Sequence, residues 1–129
     1  MTVEFTNDRD DGIVVGKIAG AVTLEDLTGA AKTMWSIIAP TNGRVLLDLV
    51  DARFNLRSDE VAQLADVVRR GSPVRGLRVV FLVATDLEFG QVRMFEVLRG
   101  SEDTEMHVVR NREYAVALLR GTAGDAEPD

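Results

Sequence analysis

Two short apolar runs constrain this chain more than anything else in it. Val45-Leu46-Leu47-Asp48-Leu49-Val50 is almost continuously apolar, and so is the stretch from Arg78 to Thr85, RVVFLVAT. A strand with one face in water alternates apolar and polar residues, because successive side chains point to opposite faces. A strand that loses this alternation is covered on both faces, which is the condition of a strand inside a parallel sheet.

The segments around these runs supply the rest of the architecture. Val3 to Thr6 and Ile13 to Ile18 predict two strands joined by the turn NDRDDG, with Asp11-Gly12 as its strongest signal and Gly20 closing the second strand. Thr23, with Asp26 three residues on, has the form of a capping box. Leu24, Leu27, Ala31, Met34, Trp35 and Ile38 then recur at helical spacing until Pro40 and Gly43 stop the helix. Trp35 reads as a core residue. Ser58 opens a second helix as its cap, with Val61, Leu64, Ala65 and Val68 inward, and Gly71, Pro73 and Gly76 form the next loop. Asp86 caps a third helix through Arg99. Met106 to Val109 is an edge strand, and Arg112 to Arg120 a last helix stopped by Gly121. Alternation of strand and helix after the hairpin implies an α/β fold with a mixed, mostly parallel five-stranded sheet and about four helices. One domain over residues 1–121 and a disordered polar tail over 122–129 follow from this reading.

Composition removes whole classes of function. There is no Cys and one His, His107. Thiolate nucleophiles, disulfides, Cys-based metal sites and multi-His metal sites are therefore excluded. Acidic residues number 21 against 15 basic ones, a formal net charge of −6, opposite in sign to what phosphate contacts require. A nucleic-acid partner is not expected. No run of about 18 apolar residues is present, so no membrane span is expected. The opening MTVEFTNDRDD lacks the basic-then-apolar order of a signal peptide, which makes the cytoplasm the expected location.

The element order, together with Asp86-Leu87-Glu88-Phe89-Gly90-Gln91-Val92-Arg93-Met94-Phe95, resembles one family. The chain is similar to STAS/SpoIIAA-like proteins, close to the small stand-alone members labelled STAS/SEC14 domain-containing. In those, an apolar strand leads into a helix opening of the form D-L-x-F-G-x-x-R-M-[FY]. The resemblance covers most of residues 1–121 and implies a non-enzymatic regulatory or protein-interaction domain. Better-known relatives are anti-sigma-factor antagonists switched off by phosphorylation of one Ser. Counting from Asp48-Leu49, the equivalent place falls at or near Ser58. There the sequence Leu56-Arg57-Ser58-Asp59-Glu60 shares only the Ser with the family's D-S-S-G-L.

Candidate site residues fall into three groups. Ser58, at a helix N-terminus, suits a phosphate because free N–H groups and the helix dipole favour an anion. Asp51, Arg53, Thr85 and Asp86 gather at the carboxyl ends of the central strands, where open α/β sheets place ligands. On the third helix, a wheel puts Leu87, Met94 and Leu98 on one face, flanked by Phe95 and Val97, and that face is expected to pack on the sheet. Phe89 and Val92 then lie on the charged side, with Gly90 permitting close backbone approach. Large apolar side chains there point to covered surface, by a protein partner, a second copy in a homodimer, or an apolar small molecule. No phosphate loop, metal-ligand spacing or nucleophile elbow is present, so neither enzyme activity nor a cofactor is expected.

Overall fold

The computed structural model describes residues 1–8, 12–38, 43–72, 75–100, 104–124 and 126–128. The expected roles of Asp11 in the first turn, of Pro40 after the first helix and of Pro73 in the loop that follows the second lie outside these residues.

Strands β1 (Thr2–Asp8) and β2 (Ile13–Val22) form the N-terminal hairpin, paired antiparallel. Phe5 lies opposite Gly16, and a Cβ built on Gly16 would stand 2.7 Å from a carbon of the Phe5 ring. That close approach is why a strand position tolerates glycine here. Strand β3 (Arg44–Asp48) runs parallel to β2, β5 (Leu77–Leu82) parallel to β3, and β6 (Thr104–Val109) parallel to β5. The order is β1-β2-β3-β5-β6.

The sheet has six strands rather than the expected five. The run expected to continue to Val50 leaves β3 after Asp48 and returns as β4 (Ala52–Phe54), which pairs in parallel with the far half of β2. The cause is local. The Asp48 carboxylate accepts a hydrogen bond from the Val50 N–H at 3.1 Å, and the Ala52 N–H donates to the Leu49 carbonyl at 3.0 Å. A side chain that bonds its own backbone two residues on turns the chain. Strand β2 accordingly extends past Gly20, expected to close it, to Val22. Strand β5 ends at Leu82 instead of Thr85.

Helix α1 (Leu24–Ile38) begins with the reciprocal Thr23 and Asp26 bonds that its sequence predicts. Helix α2 (Ser58–Gly71) starts one residue earlier than expected: Arg57 is the cap residue, its N–H held by Glu60, and Ser58 is the first helical residue. Helix α3 (Asp86–Arg99) is capped by Thr85, whose hydroxyl accepts from the Glu88 N–H, and not by Asp86. Helix α4 (Arg112–Arg120) is capped by Asn111 and ends at Gly121, in the left-handed conformation.

Two apolar clusters flank the sheet. Ile13, Leu46, Val80, Leu82 and Val109 meet Ala115 and Leu119 of α4 on one side. Val14, Ile18, Val45, Val79 and Phe81 meet Trp35, Ile38 and Val92 on the other. Burial of alternate side chains against each layer accounts for the missing polar–apolar alternation in β3 and β5. Past α4, the Glu127 carboxylate accepts from the Asn111 N–H at 2.8 Å, so described residues of the tail lie back against the helix start.

Candidate functional site

The phase of α3 decides what this face of the molecule can do, and it is opposite to the wheel reading. Val92 is 7% exposed and belongs to the core, and Phe89 and Phe95 are partly buried against it. Leu87 and Val97, expected inward, are 62% and 73% exposed, and Leu98 is exposed as well. Met94 is half-buried and Gly90 exposed. The buried side of α3 is Glu88, Val92, Phe95 and Arg99, at helical spacing but with a charge at each end. Both charges are satisfied locally. The Glu88 carboxylate accepts from the Ala84 and Thr85 N–H groups at 3.3 Å. Arg99 donates to the Gly100 carbonyl at 3.0 Å and to the Thr104 hydroxyl at 3.2 Å. Phe89 is covered by Arg110, whose guanidinium carbon lies 5.2 Å from the ring centre. Of the expected Phe89 and Val92 contact surface, Val92 is therefore interior and Phe89 is partly buried beneath Arg110.

Beneath α3 the packing is incomplete. Helix α2 lies against α1 and α3 rather than flat on the strands. The space left between these three helices and the sheet is an apolar cavity of about 130 Å³. Its walls come from both layers: Phe5, Ile18, Leu47, Phe54 and Phe81 from the strands, with Trp35, Leu64, Val68, Val92 and Phe95 from the helices. Four of the five Phe and the one Trp line it, so the scarce aromatic rings are concentrated here as stiff walls. Phe81 and Phe95 meet edge to face, with centroids 6.1 Å apart.

Few polar groups reach the cavity. Ser72, Arg99 and Thr104 are among the lining residues, the last two bonded to each other. Gln91 lines the wall farther along α3, and its Nε2 donates to the Leu56 carbonyl at 3.1 Å. Gln91 carried no signal as an exposed helix residue would, and its role becomes visible only from the helix phase.

The charged candidates at the strand ends do not assemble. Asp51 pairs with Lys17 at 3.5 Å, and Asp86 pairs with Arg110. Arg53 and Thr85 are exposed. No hydrogen bond or ion pair among the described residues joins Asp51 or Arg53 to Asp86 or Ser58, and no group of three metal-ligating side chains is found among them. A further ion pair that the sequence did not signal joins Asp48 to Arg112, at 2.6 Å. Ser58 is exposed at the first turn of α2. Arg57, its neighbour, donates to the Asp59 carboxylate at 3.0 Å, and that hydrogen bond holds the Asp59 carboxyl below the ordinary Asp value. Asp59 thus stays ionised and the adjacent cation is engaged, so a phosphate on Ser58 would meet like charge.

The comparisons with known proteins agree with this geometry at the level of fold. No family model matches the chain, and no curated protein matches it. Among solved structures, the chain is similar to an uncharacterised protein of the DUF3478 family with a SpoIIAA-like fold from Shewanella loihica PV-4. The match has a TM-score of 0.58 at 16% identity and covers 92% of each chain. The chain therefore has a SpoIIAA-like α/β fold, as its strand order and helix opening anticipate. Among the described residues no helix is long and apolar enough to cross a membrane.

Proposed function

We propose that this chain is a binding domain, a carrier or sensor of a small apolar molecule, and that the ligand sits between α1, α2, α3 and the sheet. The cavity of about 130 Å³ is the observation that carries this reading. Apolar cavities of about 150 Å³ stay dry and accept benzene or xenon. A molecule that fills this one recovers both transfer free energy and dispersion contacts. The reading is non-catalytic because the nearby charges are spent on caps, ion pairs and strand ends. The test is a native mass spectrum of protein purified gently from its own cells. A bound mass that disappears on denaturation supports the reading. A bare species, together with an organic extract containing no stoichiometric small molecule, contradicts it.

A second reading, docking of another copy of the chain as a homodimer, draws on the outer face of α3. Leu87, Val97 and Leu98 stand exposed there together. Light scattering of the wild type and of a Val97→Glu, Leu98→Glu double variant tests it. A monomer in both cases rules it out.

A further inference from the structure

Helices α1, α3 and α4 rest on strands of the sheet, whereas α2 rests on α1 and α3. Its inward side chains Val61, Leu64 and Val68 line the cavity instead of meeting a packed layer. They forgo part of the dispersion contact that holds a buried helix in place. Among the described residues, the side-chain hydrogen bonds and ion pairs from Arg57 to Gly71 stay within the helix and its cap. Arg57 pairs with Asp59 and Glu60, and Asp66 with Arg69 and Arg70. A polar tether to α3 lies just before the helix, where Gln91 Nε2 donates to the Leu56 carbonyl at 3.1 Å. That tether is imperfect, because Oε1 of the same amide is buried without a hydrogen-bond partner among the described residues. A buried acceptor that has lost its water and gained no donor raises the free energy of the closed seam. Water reaching it when the seam parts offsets some of the cost of opening. An apolar helix face over a void and an unsatisfied acceptor at its entry therefore favour parting along the same line.

We propose that α2 is the lid of the cavity: it parts from α3 at the Gln91–Leu56 seam, and an apolar ligand enters beneath it. The inference rests on the cavity reading and adds the route of entry to it. Lids come from the less stable parts of a fold, because they open while the rest stays folded. A helix of 14 residues that has lost its support is marginal in water, so each opening also exposes the α2 amides to exchange.

The experiment follows amide hydrogen exchange of the full chain by NMR, together with the dissociation rate of p-xylene. In wild type, the amides of Val61 to Val68 are expected to exchange through an opening that leaves those of α1, α3 and α4 protected. Gln91→Glu keeps the size of the side chain but sets an acceptor against the Leu56 carbonyl. It is expected to speed α2 exchange about tenfold relative to α4, the worth of one hydrogen bond, and p-xylene dissociation by the same factor. Gln91→Ala removes the tether without burying a charge and serves if Gln91→Glu does not fold. Exchange of the α2 amides only together with those of α1, α3 and α4 overturns the lid. An unchanged ratio of α2 to α4 exchange in the variant does so too. Faster α2 exchange with p-xylene dissociation unchanged overturns the entry route and leaves the cavity reading standing. Failure of p-xylene to bind the wild type overturns the cavity reading itself, and the lid with it.

Discussion

Arg112, the first residue of α4, donates a 2.6 Å hydrogen bond to the carboxylate of Asp48, the last residue of β3. The Asp48 side chain is 7% exposed, whereas that of Arg112 is 55% exposed. One Asp48 oxygen holds the helix on one face of the sheet, and the other accepts from Val50 and turns the chain toward β4. Asp48→Ala removes both bonds and is expected to lower stability by about 2–3 kcal/mol. Arg112→Leu is expected to cost only about 1 kcal/mol, because its half-exposed guanidinium is screened by water. Urea denaturation of the two variants checks the order.

Helix α3 gives the second prediction. Val92→Ala deletes buried methyl groups and should cost about 2 kcal/mol. Val97→Lys changes an exposed position and should stay within about 0.5 kcal/mol of wild type. The wheel reading of α3 requires the reverse order, so denaturation midpoints of this pair decide the phase of the helix.

The cap of α3 gives the third. Thr85→Ala should cost about 1 kcal/mol, the usual loss for a cap hydroxyl. Asp86→Ala keeps the cap and loses an exposed pair with Arg110, worth a few tenths of a kcal/mol. Equal losses would mean that Asp86 shares the capping role.

Much of this molecule is legible in its sequence, and the parts that are not have physical reasons. The unbroken apolar runs at Val45 and Val79 reveal the central strands because burial on both faces leaves a compositional mark. The Thr23 and Asp26 box and the Gly121 stop are equally plain, because caps use side chains that bond the adjacent backbone. Helix α3 misleads because Glu88 and Arg99 face inward. Their charges are absorbed by three backbone N–H groups or carbonyls and one hydroxyl nearby, and no hydrophobicity pattern registers that. Strand β4 is three residues long and exists because Asp48 turns the chain. The cavity is a misfit between α2 and the sheet. A void has no residue of its own, so only the packed structure discloses it, and Gln91 with it.

The hairpin supplies the fourth prediction. Gly16→Ala places a methyl group 2.7 Å from Phe5 and 3.0 Å from Leu47, two residues of the cavity wall. Overpacking of this kind costs about 1–3 kcal/mol. The displaced Phe5 ring should also reduce probe binding in the cavity, which separates this variant from one that only loses stability. Thermal unfolding with and without p-xylene measures both effects.

The proposed function makes the space beneath α2 and α3 a binding site. Titration of the protein with benzene, followed through its methyl-group NMR signals, tests that most directly. Saturable shifts confined to wall residues such as Ile18, Leu64 and Met106, and abolished by Ala31→Leu, which fills the space, are the predicted result. Methyl signals that do not move at the solubility limit of benzene would contradict it.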